Sequence, residues 1–383
     1  MKVLFLVSRF PFPIEKGDKL RAFHQIKCLS KDHEVILCAL CDSDFRQEWL
    51  EQVRPWCSKV YTIRLSFLNR VAGLLKAFFQ GLPLQVGYFY NEEASRTIHE
   101  IISEDKPDHI VCQLVRMSEY LRGIKTIPVT LDYMDALSAG TRRRKEISSF
   151  PMSWLLGMEQ RRLLRYEKLI FDDFSSKWII SEQDRNEIAH PEHLKIKVMP
   201  NGVDTDFFHA VTADKKYDLL FTGNMAYPPN VDGAVFLVEE ILPLVRKRFP
   251  SVRVLVAGAS PVNRVLRLRS PAVEVSGWVQ DIRPCYSSSK IFVAPMRIGT
   301  GLQNKILEAM AMELPSVISP LANQAIQATP GKCVLVAEHA QAYADHICRL
   351  LEDGNYAREV GSAALAFVKE HYNWENLCKG MLK

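Results

Sequence analysis

A glycine-flanked loop at 299–303, followed by an apolar helix at 304–311, holds the residues best suited to chemistry. Amides at a helix N-terminus are unpaired and point at an incoming anion, so a phosphate bound there gains hydrogen bonds and a favourable dipole. Arg297 before the turn and Lys305 in the first helical turn add positive charge, and Glu308 shares a helix face with Lys305. This arrangement suits a diphosphate beside sugar hydroxyls. The alternative is a tight glycine turn followed by an ordinary exposed Lys–Glu pair.

The elements that position this loop follow a repeating pattern. Short apolar runs alternate with segments of helical periodicity, which predicts parallel sheets covered by helices on both faces. In the first half the predicted strands are 2–7, 34–41, 59–63, 109–112 and 127–131, and the predicted helices are 18–30, 45–53, 67–79, 92–104, 136–146, 152–173 and 182–190. In the second half the strands are 217–222, 252–257, 273–276, 290–294 and 333–336, with helices at 231–248, 281–288, 304–311 and two more at the C-terminus. The fold class is therefore α/β, with two doubly wound parallel sheets in sequence.

A break of proline, asparagine and glycine at 200–202 predicts the boundary between the two sheets just after it. We expect an N-terminal domain over 1–205 and a C-terminal domain over 206–383, with the last helix returning toward the first domain. Ligands of such sheets bind beyond the carboxyl ends of the strands. Predicted strands precede each of the glycine turns at 17, 223, 258 and 277. Two facing sets of turns predict a donor site and an acceptor site across a cleft.

The composition is that of a soluble globular protein, since 48% of the 383 residues are hydrophobic and 24% are charged. We expect Met1–Ser8 to be a buried first strand rather than a signal peptide, and no apolar run reaches the length of a membrane span. The nine cysteines are an odd number, which favours a reducing compartment. Cys38 and Cys41 form a C-x-x-C inside an alternating run, where we expect them to pack in the core. We expect no metal site.

The net charge of +5 is modest, but cations are concentrated between Arg142 and Lys168. Apolar residues are interleaved among them, including Phe150, Trp154 and Leu164. This mixture suits a helix lying on an anionic membrane surface, and the alternative is the solvated face of a long packed helix. A nucleic-acid role is not expected, because the cluster is local and no recognition module accompanies it.

The motifs together resemble the retaining, nucleotide-sugar-dependent glycosyltransferases of family 4, and the likeness covers nearly the full length. The segments that carry it are 16–21 (Lys-Gly-Asp-Lys-Leu-Arg), 199–204 (Met-Pro-Asn-Gly-Val-Asp), 222–225 (Thr-Gly-Asn-Met), 229–232 (Pro-Asn-Val-Asp), 275–281 (Val-Ser-Gly-Trp-Val-Gln-Asp) and 304–311 (Asn-Lys-Ile-Leu-Glu-Ala-Met-Ala). The combination is most similar to sugar transferases found with bacterial exopolysaccharide export systems. The resemblance implies the GT-B fold, in which two Rossmann-like domains face a cleft.

The resemblance also implies donor-binding roles for residues in both domains. Glu308 would hold the ribose hydroxyls of the nucleotide. The amides of Gly301, Leu302 and Gln303, in the loop before it, would bind the diphosphate. Backbone groups of Trp278 and Val279, after a second turn, would border the base. Gly17 and Asp18, in the first-domain loop, would lie near the donor's phosphates and sugar.

Two positions depart from the family pattern. The family carries another carboxylate eight residues before the ribose carboxylate, where it contacts the donor sugar, and this chain has Thr300, whose hydroxyl can make a weaker contact. Many members carry an arginine after Gly223 and a lysine a few residues later, and in this chain those places hold Asn224 and either Pro229 or Asn230. Our hypothesis is that Arg297 with Lys305 supplies the charge that the departing diphosphate needs.

Transfer in this family is described as attack on the face from which the diphosphate departs, so the leaving phosphate accepts the acceptor's proton. Such a site needs positioned cations and amides more than a strong base. In the first domain Asp132 and Asp135 follow a predicted strand, and Asp135 falls near where relatives place a polar residue by the donor sugar. The alternative is that Asp135 caps the next helix. The catalytic candidates are Asp132, Asp135, Arg297 and Lys305.

The expected function is transfer of a sugar from a nucleotide diphosphate sugar to a lipid-linked or polysaccharide acceptor in exopolysaccharide biosynthesis. No cofactor and no essential metal are expected besides the donor substrate. We expect a cytoplasmic protein that contacts an anionic membrane peripherally, at the inner face of the cell membrane. Two alternatives stay open. One is a nucleotide-sugar epimerase, which shares the fold, and the other is a catalytically weak nucleotide-sugar-binding scaffold subunit, which the missing carboxylate at 300 motivates.

Overall fold

The computed structural model describes residues 1–14, 16–41, 45–146, 148–299 and 301–382. The chain divides into two compact units. The first comprises residues 1–200 with the last few residues from Gly380, and the second comprises Asn201–Lys379. Each unit contains one parallel sheet, so the predicted α/β architecture of two successive sheets is confirmed.

The sheet of the first unit has seven strands within the described part of the chain. These are β1 (Lys2–Val7), β2 (Glu34–Cys41), β3 (Lys59–Arg64), β4 (His109–Gln113), β5 (Val129–Asp132), β6 (Ser176–Ile179) and β7 (Lys197–Val198). Their order in the sheet is β3-β2-β1-β4-β5-β6-β7. The strand β1 lies inside the sheet and is buried from its second residue onward, which suits a run that is apolar on both faces.

Helices connect these strands. They are α1 (Gly17–Leu29), α2 (Gln47–Val53), α3 (Phe67–Gln80), α4 (Leu84–Phe89), α5 (Glu92–Asp105), α6 (Leu137–Glu146), α7 (Met152–Leu169) and α8 (Glu182–Glu187). Short 3-10 turns lie at 54–56, 115–120, 170–173 and 193–195. The helix α1 follows β1 directly, so its N-terminus lies at the carboxyl edge of the sheet, where β5 also ends.

The second unit repeats the design with six strands among the described residues. These are β8 (Tyr217–Thr222), β9 (Val254–Ala257), β10 (Val273–Gly277), β11 (Ser289–Ala294), β12 (Ser316–Ile318) and β13 (Leu335–Val336), in the order β10-β9-β8-β11-β12-β13. The helices are α9 (Pro228–Phe236), α10 (Leu242–Arg246), α11 (Asn263–Leu266), α12 (Arg283–Ser287), α13 (Asn304–Ala311), α14 (Pro320–Ile326), α15 (Ala340–Glu352), α16 (Gly354–His371) and α17 (Trp374–Cys378). The strands β8 and β11 pair at the centre, so α9 and α13 both begin at the middle of one edge.

The predicted strands 2–7 and 217–222 are confirmed residue for residue. The predicted helix 231–248 was wrong as one piece, because α9 passes through a π-helical turn at 237–241 before α10. Pro243 in the first turn of α10 has no amide hydrogen to donate to the preceding turn, which interrupts regular helix bonding. The strands β6, β7 and β12 were missed.

Cys38 and Cys41 are both buried in β2, which confirms their predicted place in the core. Burial raises the pKa of the Cys38 thiol to about 12. In the ranges that the structure describes, no helix combines the length and apolar character that crossing a membrane requires.

Candidate functional site

The loop before α13 is folded against the start of α9. Gly299 and Gly301 have positive φ angles of 104° and 81°, a region that glycine adopts without strain. A Cβ atom on Gly299 would lie 3.2 Å from Cβ of Pro229, so a side chain there would crowd α9. Leu302 is partly buried and packs against the core of the second unit. Thr300 lies outside the described residues.

The N-terminus of α13 receives no hydrogen bond from the side chain of its N-cap residue, Gln303. The Gln303 side chain instead lies 3.5 Å from the carbonyl of Gly301. The amide of Ile306 donates to the carbonyl of Gln303 at 2.9 Å, so Asn304 and Lys305 are the first-turn residues whose amides could serve an anion, as the sequence predicted.

Glu308, one turn into α13, is held by a side chain from a different element. The hydroxyl of Tyr286 in α12 donates to Oε2 of Glu308 at 2.8 Å and lies 3.0 Å from Oγ1 of Thr222 at the end of β8. A phenol has one proton, so Thr222 is the donor to Tyr286 and Tyr286 is the donor to Glu308. Tyr286 is fully buried, and burial raises the pKa of the Glu308 carboxyl. The sequence did not point to Tyr286, and it placed Thr222 in the 222–225 motif without a role, since neither residue stands in the loop or its helix.

Lys305 points into the unit rather than into solvent. It is buried, its Nζ donates to Oδ1 of Asn230, and it lies 4.9 Å from the ring centroid of Phe221. Burial lowers the pKa of Lys305 to about 7, and Glu308 opposes that shift. The Asn230 amide donates in turn to the carbonyl of Asn224 at 2.9 Å. Lys305 thus ties α13 to the turn after β8.

Backbone segments approach one another closely at that turn. A Cβ atom on Gly258 would lie 1.8 Å from the carbonyl oxygen of Gly223, and one on Gly223 would lie 2.6 Å from Nδ2 of Asn230. Asn224 accepts a hydrogen bond from the amide of Ala226 at 2.9 Å. The glycines let β8 and β9 end side by side, so a side chain at either position would displace the turn.

Arg297 is engaged on α9. Its guanidinium makes a bidentate pair with Asp232 at 2.7 and 3.0 Å, a further contact with Glu240 at 3.2 Å, and stacks 4.3 Å from the ring centroid of Phe236. Its charge is therefore already paired, and any diphosphate would share the guanidinium with these carboxylates.

Trp278 and Val279 follow β10 at the outer strand of the same edge. Gly277, with φ of 75°, turns the chain there, and Trp278 is 65% exposed. An exposed indole of this kind is suited to stacking on a planar base. The structure thus brings Gly223, Trp278 and the α13 loop to the carboxyl ends of strands in one parallel sheet.

Comparison with known proteins identifies the fold. Residues 216–353 match the model of a family described as "Glycosyl transferases group 1". A sucrose-phosphate synthase from Thermosynechococcus elongatus superimposes with a TM-score of 0.67 at 17% identity, covering 100% of this chain and 97% of that one. HepE of Anabaena, solved in complex with UDP, superimposes with a TM-score of 0.68 at 15% identity, covering 100% and 98%. The fold is GT-B.

A sequence relative spans the same length. An uncharacterized 44.6 kDa protein in the cps region of Klebsiella pneumoniae is 22% identical over 413 residues, covering 100% of this chain and 99% of that protein. The residues that match the family model lie in the second unit, which contains Glu308, Lys305 and the glycine turns. Together, the family match and the GT-B neighbours support a glycosyltransferase.

In the first unit, Asp132 has a structural role. It is fully buried and forms a two-point ion pair with Arg21 of α1, at 2.7 and 3.2 Å. It also accepts from Nε2 of Gln25 at 2.8 Å and from the amide of Met134 at 3.0 Å. Arg21 uses its remaining Nη1 on the carbonyl of Met199 at 2.8 Å. These bonds give Asp132 a positioning role at the end of β5.

The first loop and the end of β5 are in contact. A Cβ atom on Gly17 would lie 3.1 Å from Cε of Met134, whose own φ of 60° is in the left-handed region. Asp18, in the first turn of α1, pairs with Arg9 at 2.9 Å, and its backbone carbonyl accepts from Gln113 at 2.9 Å. Gly17 and Asp18 thus lie at the same edge of the sheet as Asp132.

The carboxylates of Glu167 and Asp184 hold the start of α6. The carboxylate of Glu167 accepts from the amide and hydroxyl of Ser138, at 3.0 and 2.6 Å, and Asp184 accepts from the amide of Ala136. Asp135 is partly buried beside these groups. Burial, together with the charge of Asp184, raises the pKa of the Asp135 carboxyl to about 6.

Asp135→Asn is expected to stabilise the protein above pH 6. A folded pKa near 6, above the ordinary value, means that the ionised carboxylate lowers stability as pH rises toward 6 and that this cost stays constant above it. Removing the charge should raise the unfolding free energy by roughly 3 kcal/mol at pH 8 and leave it unchanged at pH 3. Chemical denaturation at both pH values measures this, with Asp172→Asn as an exposed control. A variant less stable than wild type at pH 8 would contradict it.

Among the residues that the structure describes, no group of three or more His, Cys, Asp or Glu side chains is placed to hold a metal ion.

Proposed function

We propose that this chain is a retaining glycosyltransferase that moves a sugar from a nucleotide diphosphate sugar to a lipid-linked or polysaccharide acceptor in exopolysaccharide biosynthesis. The observation that carries the proposal is Glu308, fixed by Tyr286 one turn beyond the uncapped N-terminus of α13. One helical turn is about 5.4 Å. Amides that bind a diphosphate and a carboxylate that binds ribose hydroxyls are therefore offset along one rigid helix.

The chemistry follows from charge. As the bond to the donor sugar breaks, negative charge develops on the departing diphosphate, and preorganised amides at a helix N-terminus stabilise that charge without reorganising. The acceptor attacks from the same face, and its proton passes to the leaving phosphate. Lys305, beneath the loop, adds an ammonium whose pKa of about 7 a bound diphosphate would raise. No cofactor and no metal are part of this proposal.

Asp135 is the first-unit carboxylate that we assign to the donor sugar, because Asp132 is saturated by Arg21, Gln25 and a backbone amide. Near neutral pH Asp135 is mostly ionised, since its pKa is about 6. A carboxylate beside the sugar suits a transition state that gathers positive charge at the anomeric carbon. We place the protein in the cytoplasm, peripheral at the inner face of the membrane.

The donor is identified by a thermal-shift screen of UDP-, GDP-, ADP- and TDP-sugars against the full chain. HepE has been solved with UDP and with UDP-glucose, which makes UDP-sugars the first set to test. Stabilisation by one nucleotide class, followed by release of that nucleoside diphosphate only when a lipid-linked or oligosaccharide acceptor is added, supports the transferase. The missing carboxylate at 300 favours one competitor, a binding scaffold. Tight binding without turnover on any acceptor would establish that scaffold, and conversion of the nucleotide sugar without acceptor would establish an epimerase.

Arg297→Ala is expected to weaken a nucleoside diphosphate about tenfold while leaving the nucleoside nearly unaffected, since a guanidinium near phosphate acts on charge. Calorimetric titration with both ligands measures the ratio. Arg248→Ala, which removes a guanidinium paired with Glu352, is the matched control. Equal weakening of both ligands would show that Arg297 only holds α9 through Asp232.

A further inference from the structure

The helix α3 of the first unit turns its apolar side to solvent. Phe67, Leu68 and Phe79 are 70%, 77% and 83% exposed. The other exposed large apolar side chains of this helix are Val71, Leu75 and Phe78. At 100° per residue these six positions fall on one arc of about 120°. Monomeric soluble proteins rarely expose a contiguous apolar patch of this kind, and such a patch marks an interaction site.

The orientation of α3 is fixed by its other side. A Cβ atom on Gly73 would lie 2.2 Å from the carbonyl oxygen of Gly87 in α4, so the two backbones are in direct contact. Ala77, on the same side, is buried. The helix starts at a Ser66 cap, whose hydroxyl accepts from Asn69, and stops at Gly81 in the left-handed conformation. The apolar arc therefore cannot rotate inward without losing this packing.

Cations border the C-terminal end of the arc. Arg162 of α7 donates to the carbonyl of Phe78 at 2.9 Å and to that of Leu82 at 3.2 Å, and its guanidinium lies 5.2 Å from the Phe78 ring centroid. Both carboxylates of α7 are buried. Glu159 accepts from the amides of Leu84 and Gln85, and Glu167 accepts from Ser138. The exposed charged side chains of α7 are all positive, namely Arg161, Arg165 and Lys168.

The basic stretch singled out in the sequence is thus divided between two roles. Leu156 and Leu163 are buried in the first unit, and Arg142 pairs with Glu187 at 2.7 Å, as expected for a packed helix pair. The exposed cations of α7 lie on the same helix as Arg162, which contacts the end of α3. Sequence analysis predicted α3 as a helix and gave it no role, although its 14 residues contain no carboxylate.

We propose that α3 is a membrane-docking helix that lies in the headgroup region of an anionic phospholipid bilayer. Its phenylalanine and leucine side chains enter the acyl boundary, and the cations of α7 contact lipid phosphates. A large apolar arc combined with neighbouring basic residues is the physical signature of a helix that binds in the plane of such an interface. This inference gives a surface to the membrane contact proposed above and rests on that proposal.

The cations near α3 favour an anionic bilayer over a second copy of the chain as the partner of this patch. A symmetric dimer through this patch would bring the same surface of both subunits together. Both subunits would then carry the exposed cations Arg161, Arg165 and Lys168 on the helix that borders the patch, and bringing two surfaces of the same charge together is unfavourable. An anionic bilayer supplies the opposite charge as well as an apolar phase.

The test is flotation of the full chain with vesicles of phosphatidylglycerol and phosphatidylcholine, compared with phosphatidylcholine alone. We expect binding to the anionic vesicles that weakens as salt is added. Leu68→Ser with Phe79→Ser should weaken that binding at least tenfold, and Arg161→Glu with Arg165→Glu should remove its preference for anionic lipid. Leu194→Ser, at a residue 66% exposed elsewhere in the first unit, is the matched control and should bind like wild type.

A second measurement reports insertion directly. A Phe79→Trp reporter should shift its emission to the blue and be quenched by brominated lipid only when vesicles are anionic. The inference is overturned if wild type does not float, if the serine pair floats like wild type, or if wild type is a dimer that the serine pair makes monomeric. Nucleotide binding by the same variants is measured in solution without vesicles. A failed docking helix is thereby distinguished from a failed donor site.

Discussion

Asp132→Ala is expected to lower the free energy of unfolding of the first unit by about 3–5 kcal/mol, because it leaves the Arg21 guanidinium buried without its carboxylate. Both side chains are fully buried, and Gln25 and the amide of Met134 would lose their acceptor as well. An unsatisfied buried donor costs its full desolvation. Urea denaturation followed by far-UV circular dichroism measures the effect as an earlier transition of one of the two units.

Two controls separate charge burial from other causes. Replacing both partners, as Arg21→Met with Asp132→Leu, removes the charges together and should recover most of the lost stability. Glu92→Ala breaks an exposed pair with Lys76 and should leave the transition nearly unmoved. If Asp132→Ala is no more destabilising than Glu92→Ala, the pair does not hold α1 to β5.

Glu308→Gln is expected to weaken nucleotide diphosphate sugar binding about 100-fold, since a carboxylate that accepts two ribose hydroxyls makes charge-assisted bonds that an amide cannot reproduce. The loss should be shared by the nucleoside diphosphate and by the nucleoside, which both carry the ribose. Calorimetric titration of each ligand measures it, with the melting temperature of the free protein as a check on folding. Glu239→Gln, an exposed carboxylate in the π-helical turn, should bind like wild type.

Tyr286→Phe is expected to weaken nucleotide binding to a smaller extent. The variant keeps the ring in the core and removes the hydroxyl that donates to Glu308. We expect a loss of about tenfold, smaller than that of Glu308→Gln, because the carboxylate remains but is no longer oriented. A Glu308→Gln protein that binds nucleotide like wild type would remove Glu308 from the site.

The sequence predicted the two-sheet architecture because βα alternation is a local pattern that repeats. It predicted the loop before α13 for the same reason, since glycines, a lysine and a glutamate stand within one short segment. It could not predict Tyr286, whose hydroxyl reaches Glu308 from another helix, or the Arg21–Asp132 pair, which joins residues 111 positions apart. Tertiary contacts of this kind leave no spacing in the chain to recognise.

Two further misses have their own physical causes. The strand β12 has three residues between Pro315 and Pro320, too few for an alternating pattern to stand out. The apolar arc of α3 shows the opposite difficulty. Periodicity reveals that a helix has an apolar side, but that side is normally packed inward, and only the Gly73–Gly87 contact shows that here it is not. The apolar pattern of a helix predicts which side of the helix is apolar, but it does not predict what contacts that side.

The helix α7 links three other helices of the first unit. Arg162 holds the end of α3, Glu159 holds the start of α4, and Glu167 holds the start of α6, directly after Asp135. At 18 residues α7 is about 27 Å of continuous helix. If α3 lies on a bilayer, the continuous helix α7 fixes the distance between Asp135 and the membrane surface. A lipid-linked acceptor would then reach the donor sugar at one fixed distance from the membrane. Its diffusion to the site would be confined to the plane of the bilayer.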